Sequence, residues 1–599
     1  MRPPEEAGLS AFARYALWTL LALALTQVLL ALFVPSFTAG GLYGPDSYMH
    51  MLRVRRLHDL GLRSWYDNSY PRSNAPWGAP HIWSHPFDVL ILLGALILQP
   101  FLGWERALYA SGFLVSPVTL WGTLLAWYPL VRRLVPRHVV IAGVLGALVP
   151  TTWFVAPIAR PDHHGLNLMM FAAWLAALLT AVLRERPSRG HLLLAGVLGG
   201  FGLWVSMEAA LVVALGVAVA GAWWTWRGGR LGVWVAAGLA LGGAVAIIAE
   251  YPPAHWLHHQ LDRFSFTYEL PLLVHAVLWG LLYAIERRGG LATPLRRGLA
   301  LIACGVIGLG GVVLYEPRIL HGPWGALDPR IAGYWLKIIT ELEPLRPHPS
   351  EWILYLGMPL LGLATLGWQT WRARAPRERF AWGALALVML AYVALTIHQR
   401  RWFPYPELLA AIPVASAFGP WLDRVLPRDG AVRGVARGAL ILFGATVLPV
   451  VGFFWTAATS TQVPDTCPLG ALDTWLDDPS GMGESPKVIA AELQDGPQIL
   501  WDTPHSIVAG PYHCNPAGID DLRELFYAED DQTARSVVDE RGVDLLVECP
   551  ERPSFIARGG RDTLFWRLAR GDVPSWLKPV PLPPDLAEHY DVFEVVPER

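Results

Sequence analysis

A polytopic α-helical membrane protein with a small α/β domain at its C-terminal end is the fold class that the sequence predicts. Three observations carry this reading. Of the 599 residues, 53% are hydrophobic and only 16% charged, against about 25% charged in an ordinary soluble domain, and mean hydropathy is +0.36. Apolar runs of about 18 residues or more, enough to cross a bilayer, recur along the chain as far as residue 457. Beyond about residue 460 the runs stop and acidic residues accumulate. The 29 tryptophans suit this class, because indole rings favour the membrane–water interface. A net charge of -2 with no basic motif gives no ground for a nucleic-acid partner.

The first apolar run, residues 15–34, is too long for the core of a cleaved signal and no small-x-small site follows it. It reads as a retained first span. Arginine-rich loops mark the cytoplasmic side, and they occur at 131–138, 184–189, 226–230, 286–298, 371–379 and 423–438. With these inside, the spans pair off near 15–34, 108–130, 138–156, 165–183, 191–207, 209–226, 231–249, 270–285, 298–315, 351–370, 380–397, 404–422 and 438–457. The apolar run 85–104 would break this alternation as a span. It is expected as a helix at or partly within the interface, inside a large external loop, 35–107. A second large loop covers 316–350, and the transmembrane domain ends at 459.

Residues 460–599 read as an extracytoplasmic α/β domain of ordinary size. "KVIAAEL", "PQILW", "SIVAG" and "VDLLVEC" look like strands, and "DDLRELFY" and "DQTARSVVDE" look helical. Cys467, Cys514 and Cys549 lie there; on an oxidising side one pair could bridge and one thiol would remain, but spacing does not choose the pair. Cys304 lies in an apolar run, and no zinc-type cysteine spacing is present.

The polar residues that remain all fall on the external side. "GPDSYMHMLRVRR" (Gly44 to Arg56) follows the first span, and "ARPDHHG" (Ala159 to Gly165) follows another. A carboxylate at a membrane boundary is costly unless it is solvated, paired or bound to a cation. Asp46, Asp162 and His164 together offer an oxygen-rich donor set with one nitrogen, which suits Mg²⁺ or Mn²⁺. Taken singly, each aspartate reads first as a helix cap; paired on the same face, the balance turns to the metal site. Glu208, in "LWVSMEAAL", stands between two spans: a functional acid or a short turn. His258 and His259 have no evident partner in the sequence.

These motifs resemble the catalytic-subunit family of oligosaccharyltransferases, membrane glycosyltransferases of the GT-C type, and the archaeal and some bacterial members most. "GPDSYMHMLRVRRL" resembles the family's first acidic motif. "WYDNSYP" (65–71) and "WGAPHIWSHPFD" (77–88) resemble the segments that follow it, and "RPDHH" resembles the second acidic motif. The resemblance covers most of residues 10–460 and implies thirteen spans with an extracytoplasmic C-terminal domain. It implies that Asp46, Asp162 and His164 ligate a divalent cation, Mn²⁺ or Mg²⁺. Glu341 in "ITELEP", with Glu343 as a substitute, would match the glutamate that holds the acceptor nitrogen or joins the metal shell. Arg400 or Arg401 in "HQRRWFPY" would grip the lipid-linked diphosphate, since a guanidinium pairs bidentately with phosphate oxygens. His163, His81 and Arg53 are further candidates for phosphate contact.

The sequence departs from the family in its tail. The Trp-Trp-Asp-Tyr-Gly motif that reads the hydroxyl of the acceptor sequon is absent; "ILWDTPHS" keeps only Trp501 and Asp502, and "GPYHCN" (510–515) is a polar loop that could serve another acceptor. The expected activity is therefore inverting, metal-dependent transfer of a glycan from a polyprenyl-(di)phosphate carrier to an extracytoplasmic protein, polysaccharide or lipid acceptor, with Asp46 or Glu341 orienting or deprotonating the acceptor. Three alternatives stand beside it: a GT-C transferase using a monophosphate lipid-sugar, a lipid-glycan transporter, and an inactive assembly subunit. A transporter would place polar residues mid-membrane or show a repeat, and neither is visible. The expected location is a bacterial or archaeal plasma membrane, with the site outside.

Overall fold

The computed structural model describes residues 10–33, 41–67, 69–426, 431–459, 467–479, 485–551 and 560–596. The expected domain boundary after 459 borders residues 460–466, and the arginine-rich loop 423–438 includes 427–430; both segments lie outside the described residues.

A helix lies at every expected span. The chain opens with α1 (Ala11–Phe33), then runs through α2 (Pro45–Leu60), α3 (Leu62–Tyr66) and a two-stranded ribbon of β1 (Ser69–Tyr70) and β2 (Ala79–Pro80). There follow α4 (Pro86–Leu102), α5 (Trp104–Leu134), α6 (Val139–Leu148), α7 (Thr151–Phe154) and α8 (His164–Leu183). Next come α9 (Arg189–Val205), α10 (Ala209–Arg227), α11 (Leu231–Glu250), α12 (Phe266–Arg287) and α13 (Pro294–Tyr315). After α14 (Pro329–Ile338) the bundle closes with α15 (Pro349–Arg372), α16 (Pro376–His398), α17 (Pro404–Val425) and α18 (Ala431–Thr459). Among the described residues nine helices are long and apolar enough to cross a membrane. The chain is a polytopic helical membrane protein.

Two expected elements differ in detail. The span 138–156 is broken into α6 and α7 at Val149–Pro150, because proline lacks the amide that would continue the helix. The run 85–104 forms α4, whose 17 residues fall short of the roughly 20 that a span needs. It doubles back on α5 at Gly103, and the Ser111 hydroxyl donates to the carbonyl of Ile91 at 2.7 Å. The 31 residues of α5 extend about 46 Å at 1.5 Å per residue, so α5 exceeds the hydrocarbon thickness and leaves a stretch beside α4.

The tail carries a five-stranded sheet in the order β4-β3-β5-β7-β6. Its strands are β3 (Val488–Ala490), β4 (Ser506–Ile507), β5 (Leu545–Glu548), β6 (Leu577–Pro579) and β7 (Asp591–Val595). The first three are parallel and the last two antiparallel. "PQILW", expected as a strand, is instead the body of a helix, Gly496–Asp502. Pro497 suits a first helical turn, and a five-residue apolar run carries no periodicity to decide between the two.

The first large loop is built into this sheet. Ile507 donates its amide to Arg72 O at 2.9 Å, and Ala75 donates back to Ile507 O at 3.0 Å. The Arg72 guanidinium donates to the carbonyls of Leu500, Thr503 and His505. The second large loop joins as well: Ile331 and Trp335 of α14 are buried in the core of the tail, against residues such as Leu522.

Cys467 and Cys549 form a disulfide, leaving Cys304 and Cys514 free. Alkylating the unreduced protein and mapping the adducts should therefore label only Cys304 and Cys514. Label on Cys467 or Cys549 before reduction would contradict the pairing.

Candidate active site

Two turns bring the acidic motifs together. Gly44, at φ +84°, swings the chain into α2 through a backbone angle that a side chain would strain. Asp46 stands in the first turn of α2, where the helix N-terminus favours a negative charge. Tyr43 donates its amide to Ala159 O at 2.7 Å, and Ala159 donates to Phe113 O at 2.9 Å. Ala159 sits at φ +60°, a strained angle for alanine that its neighbours impose. The turn bearing "RPDHH" is thereby tied to α5 and to the start of α2.

Asp162 is 2% exposed. Its Oδ2 accepts from the Arg160 guanidinium at 3.0 Å, while Oδ1 faces Nδ1 of His163 at 3.2 Å and Nε2 of His164 at 3.9 Å. Burial raises the Asp162 carboxyl, but His164 and then Arg160 outweigh it and hold the group well below the usual carboxylate range. Asp46 behaves in the opposite way. Burial, and then the charge of Asp162, push it up to about 7.

Asp46, Arg160, His163, His164, Glu208, Glu341 and Arg401 line one cavity of about 460 Å³. Trp83, Trp324, Trp335 and Trp402 add aromatic walls, and Gln494, Tyr512 and His513 close it from the tail. A neighbouring cavity of about 260 Å³ shares Arg160, His164, Glu208, Glu341 and Arg401 and adds Arg400 and Tyr405. A third, apolar cavity of about 830 Å³ lies along α10, α12 and α13 and meets the first at Met207. Burial, and then Asp46, push the Tyr512 phenol up.

The resemblance noted above implies a divalent cation here, and the donor set fits one. Asp162, His163 and His164 each offer a ligand atom, all within 4.8 Å of one another. Around them four carboxylates, of Asp46, Asp162, Glu208 and Glu341, face the two guanidiniums of Arg160 and Arg401. Burial, and then the charge of Asp162, raise the Asp46 carboxyl, and a cation held beside it would oppose that rise.

The other sequence candidates are placed as follows. Arg401 lines both polar cavities and pairs with Glu208 and, at 3.6 Å, with Glu341. Arg400 lines only the second and is held at 2.5 Å by Glu343. Arg53 is turned away: it is 5% exposed, pairs with Asp88 at 2.7 Å and donates to Trp83 O. His81 is buried behind Tyr512 and Tyr70 and does not line the cavity. Arg53 and His81 are therefore structural supports of the loop that carries Trp83.

Several site residues were not singled out by sequence. Arg160 lies two positions before Asp162, so the motif itself held that signal. Asp262, which faces His513 at 3.7 Å, Trp324, Trp335 and Gln494 reach the cavity only through the docking of loops and tail; Tyr512 and His513 reach it the same way, from the "GPYHCN" loop noted in the sequence.

The fold is that of an archaeal oligosaccharyltransferase of known structure. The oligosaccharyltransferase of Archaeoglobus fulgidus in the apo form superposes with a TM-score of 0.73 at 16% identity, over 96% of this chain and 81% of that one. The same archaeal enzyme in complex with an inhibitory peptide and a dolichol-phosphate gives 0.68 at 17% identity, over 93% and 72%. Its complex with Zn and sulfate gives 0.63 at 17%, over 90% and 68%. No protein-family model matches the chain, and no curated protein matches its sequence.

Proposed function

We propose that this protein is a metal-dependent membrane glycosyltransferase that moves a glycan from a polyprenyl-(di)phosphate carrier to an acceptor outside the membrane. The observation that carries the reading is the convergence of Asp46, His164, Glu341 and Arg401 on one cavity, with Asp162 buried directly behind His164, in an oligosaccharyltransferase fold. A fold alone does not fix chemistry; the grouping of acids, imidazoles and a guanidinium does the selecting. The archaeal neighbour binds a dolichol-phosphate, and the apolar cavity along α10, α12 and α13 is of the kind a polyprenyl chain would occupy.

The chemistry follows from charge. Loss of the lipid phosphate from the anomeric carbon builds negative charge on the leaving oxygens, and preorganised positive groups lower that barrier. When bound, a divalent cation, Mn²⁺ or Mg²⁺, would supply Lewis-acid stabilisation of that leaving group. Asp46, Asp162, His164 and His163 would hold it. Arg401 would pair with phosphate oxygens, and Glu208 and Glu341 keep its guanidinium facing the cavity. The acceptor attacks C1 from the opposite face: the acceptor–C1 bond forms, the C1–O bond to phosphate breaks, and configuration inverts. Glu341 or Asp46 would accept a hydrogen bond, and then the proton, from the acceptor. Tyr512 and His513 of the "GPYHCN" loop line the cavity from the tail and would meet the acceptor there, and with the sequon-reading motif absent the acceptor need not be a sequon asparagine.

Donor class is tested by competition. Purified protein is supplied with a labelled lipid-linked glycan and challenged with polyprenyl diphosphate or polyprenyl monophosphate. Inhibition at lower concentration by the diphosphate supports the oligosaccharyltransferase-like donor; preference for the monophosphate would support the lipid-monophosphate-sugar reading. Arg401→Lys should weaken transfer about 10–100-fold, since hydrogen bonds between charged groups are worth about 1.5–3 kcal/mol and an ammonium cannot replace the fork. Unchanged kcat/KM would remove Arg401 from the phosphate site.

A further inference from the structure

Glu208 sits in the turn between α9 and α10. An acid at the mouth of two apolar helices is retained at a cost and calls for a partner. It has three. Its Oε1 accepts from the Arg401 guanidinium, and its Oε2 accepts from the Tyr405 hydroxyl at 3.1 Å and faces Nδ1 of His164 at 3.9 Å. The other ring nitrogen of His164, Nε2, faces Asp162 Oδ1. The imidazole therefore lies between two carboxylates, one on the donor-atom cluster and one behind it.

We propose that Glu208 is a positioning residue of the transferase site, its single carboxylate fixing both the ring of His164 toward the cation and the guanidinium of Arg401 toward the phosphate. The inference rests on the metal-dependent reading above. A metal-binding imidazole ordinarily donates its second N–H to a carboxylate or carbonyl, which fixes the tautomer and the ring plane. Glu208 is the carboxylate that faces Nδ1 of His164, at 3.9 Å an electrostatic contact rather than a hydrogen bond; its charge favours the tautomer with Nδ1–H toward it, which leaves the Nε2 lone pair for the ion. The same carboxylate joins the cation-holding loop to Arg401 across the cavity, so displacement of either partner is felt by the other.

The test uses the full-length protein in detergent, with Mn²⁺ alone as probe in one arm and the lipid-linked donor in the other. Glu208→Gln keeps the size of the side chain and removes its charge. Glu208→Asp keeps the charge and withdraws it by one methylene. Mn²⁺ affinity by calorimetric or spin-resonance titration should fall about 10–100-fold in Glu208→Gln, the usual cost of losing such an outer carboxylate, and by less in Glu208→Asp. The donor KM should rise in both, while Tyr405→Phe leaves Mn²⁺ affinity within about twofold, because it removes only the phenol contact. Asp162→Asn is run alongside. If Asp162→Asn abolishes Mn²⁺ binding while both Glu208 variants bind as the wild type does, the positioning role is overturned and the metal site stands. If the wild type itself binds no Mn²⁺, the metal reading fails, and this inference with it.

Discussion

Asp162→Asn and Asp46→Asn are each expected to lower glycan transfer by about 10²–10³-fold, the loss that follows removal of a preorganised electrostatic group from a transition state. Asparagine keeps the size of each side chain and removes the charge that opposes the cation. The two variants should differ in stability. Asp162 is held ionised by His164 and Arg160, so Asp162→Asn leaves the Arg160 guanidinium without its carboxylate and lowers the melting temperature. Asp46 is pushed up to about 7 by burial and by Asp162. Its ionisation in the metal-free protein is thus unfavourable, and the linkage has a definite sign. A carboxyl raised above its unfolded value costs nothing below the unfolded pKa, and destabilises progressively as pH rises from there to about 7. Asp46→Asn should therefore melt no lower than the wild type at pH 7 without metal, although it is inactive. A melting temperature lowered in Asp46→Asn and unchanged in Asp162→Asn would contradict this electrostatic account.

Arg541→Ala should destabilise the attachment of the tail by about 1.5–3 kcal/mol, the usual worth of hydrogen bonds made by a charged group. The Arg541 side chain is 0% exposed and pairs with Asp521. It also donates to Asn74 Oδ1 at 2.6 Å and to Ala75 O at 3.1 Å, and it lies 4.5 Å from the Trp77 ring. One guanidinium thus joins a helix of the tail (Asp531–Arg541) to the first large loop. Its loss strands the Asn74 and Asp521 oxygens and loosens the loop that carries Trp83. Limited proteolysis should cut the first loop faster in the variant, and transfer should fall because Tyr512 and His513 lose their fixed place over Asp46. Protection equal to that of the wild type would show that the tail is held elsewhere.

The spans were legible because arginine-rich loops alternate with apolar runs, and that alternation survives without any knowledge of packing. Asp46, Asp162 and His164 were legible because their motifs lie just past the ends of spans, where an acid needs a reason. Arg53 shows the limit of this logic. It stands in the same motif as Asp46, which made it a candidate for phosphate contact. Asp88, from α4, pairs with it and with His50 instead. Glu208 was visible as an unexplained acid but not its partners, because Arg401 is 193 residues away. The tail's contribution was the least legible: "GPYHCN" has no periodicity, and Tyr512 reaches Asp46 only because the strand at Ser506–Ile507 pairs with residues 72–75 of the first loop.

The most direct test is glycan transfer from a polyprenyl-diphosphate-linked pool by the purified protein, with Mn²⁺, with chelator, and with Asp46→Asn, reading donor loss and product mass together. The account predicts donor consumption and a glycosylated product with Mn²⁺, and neither with chelator nor with Asp46→Asn. Donor consumption that persists under chelation and in folded Asp46→Asn would contradict it.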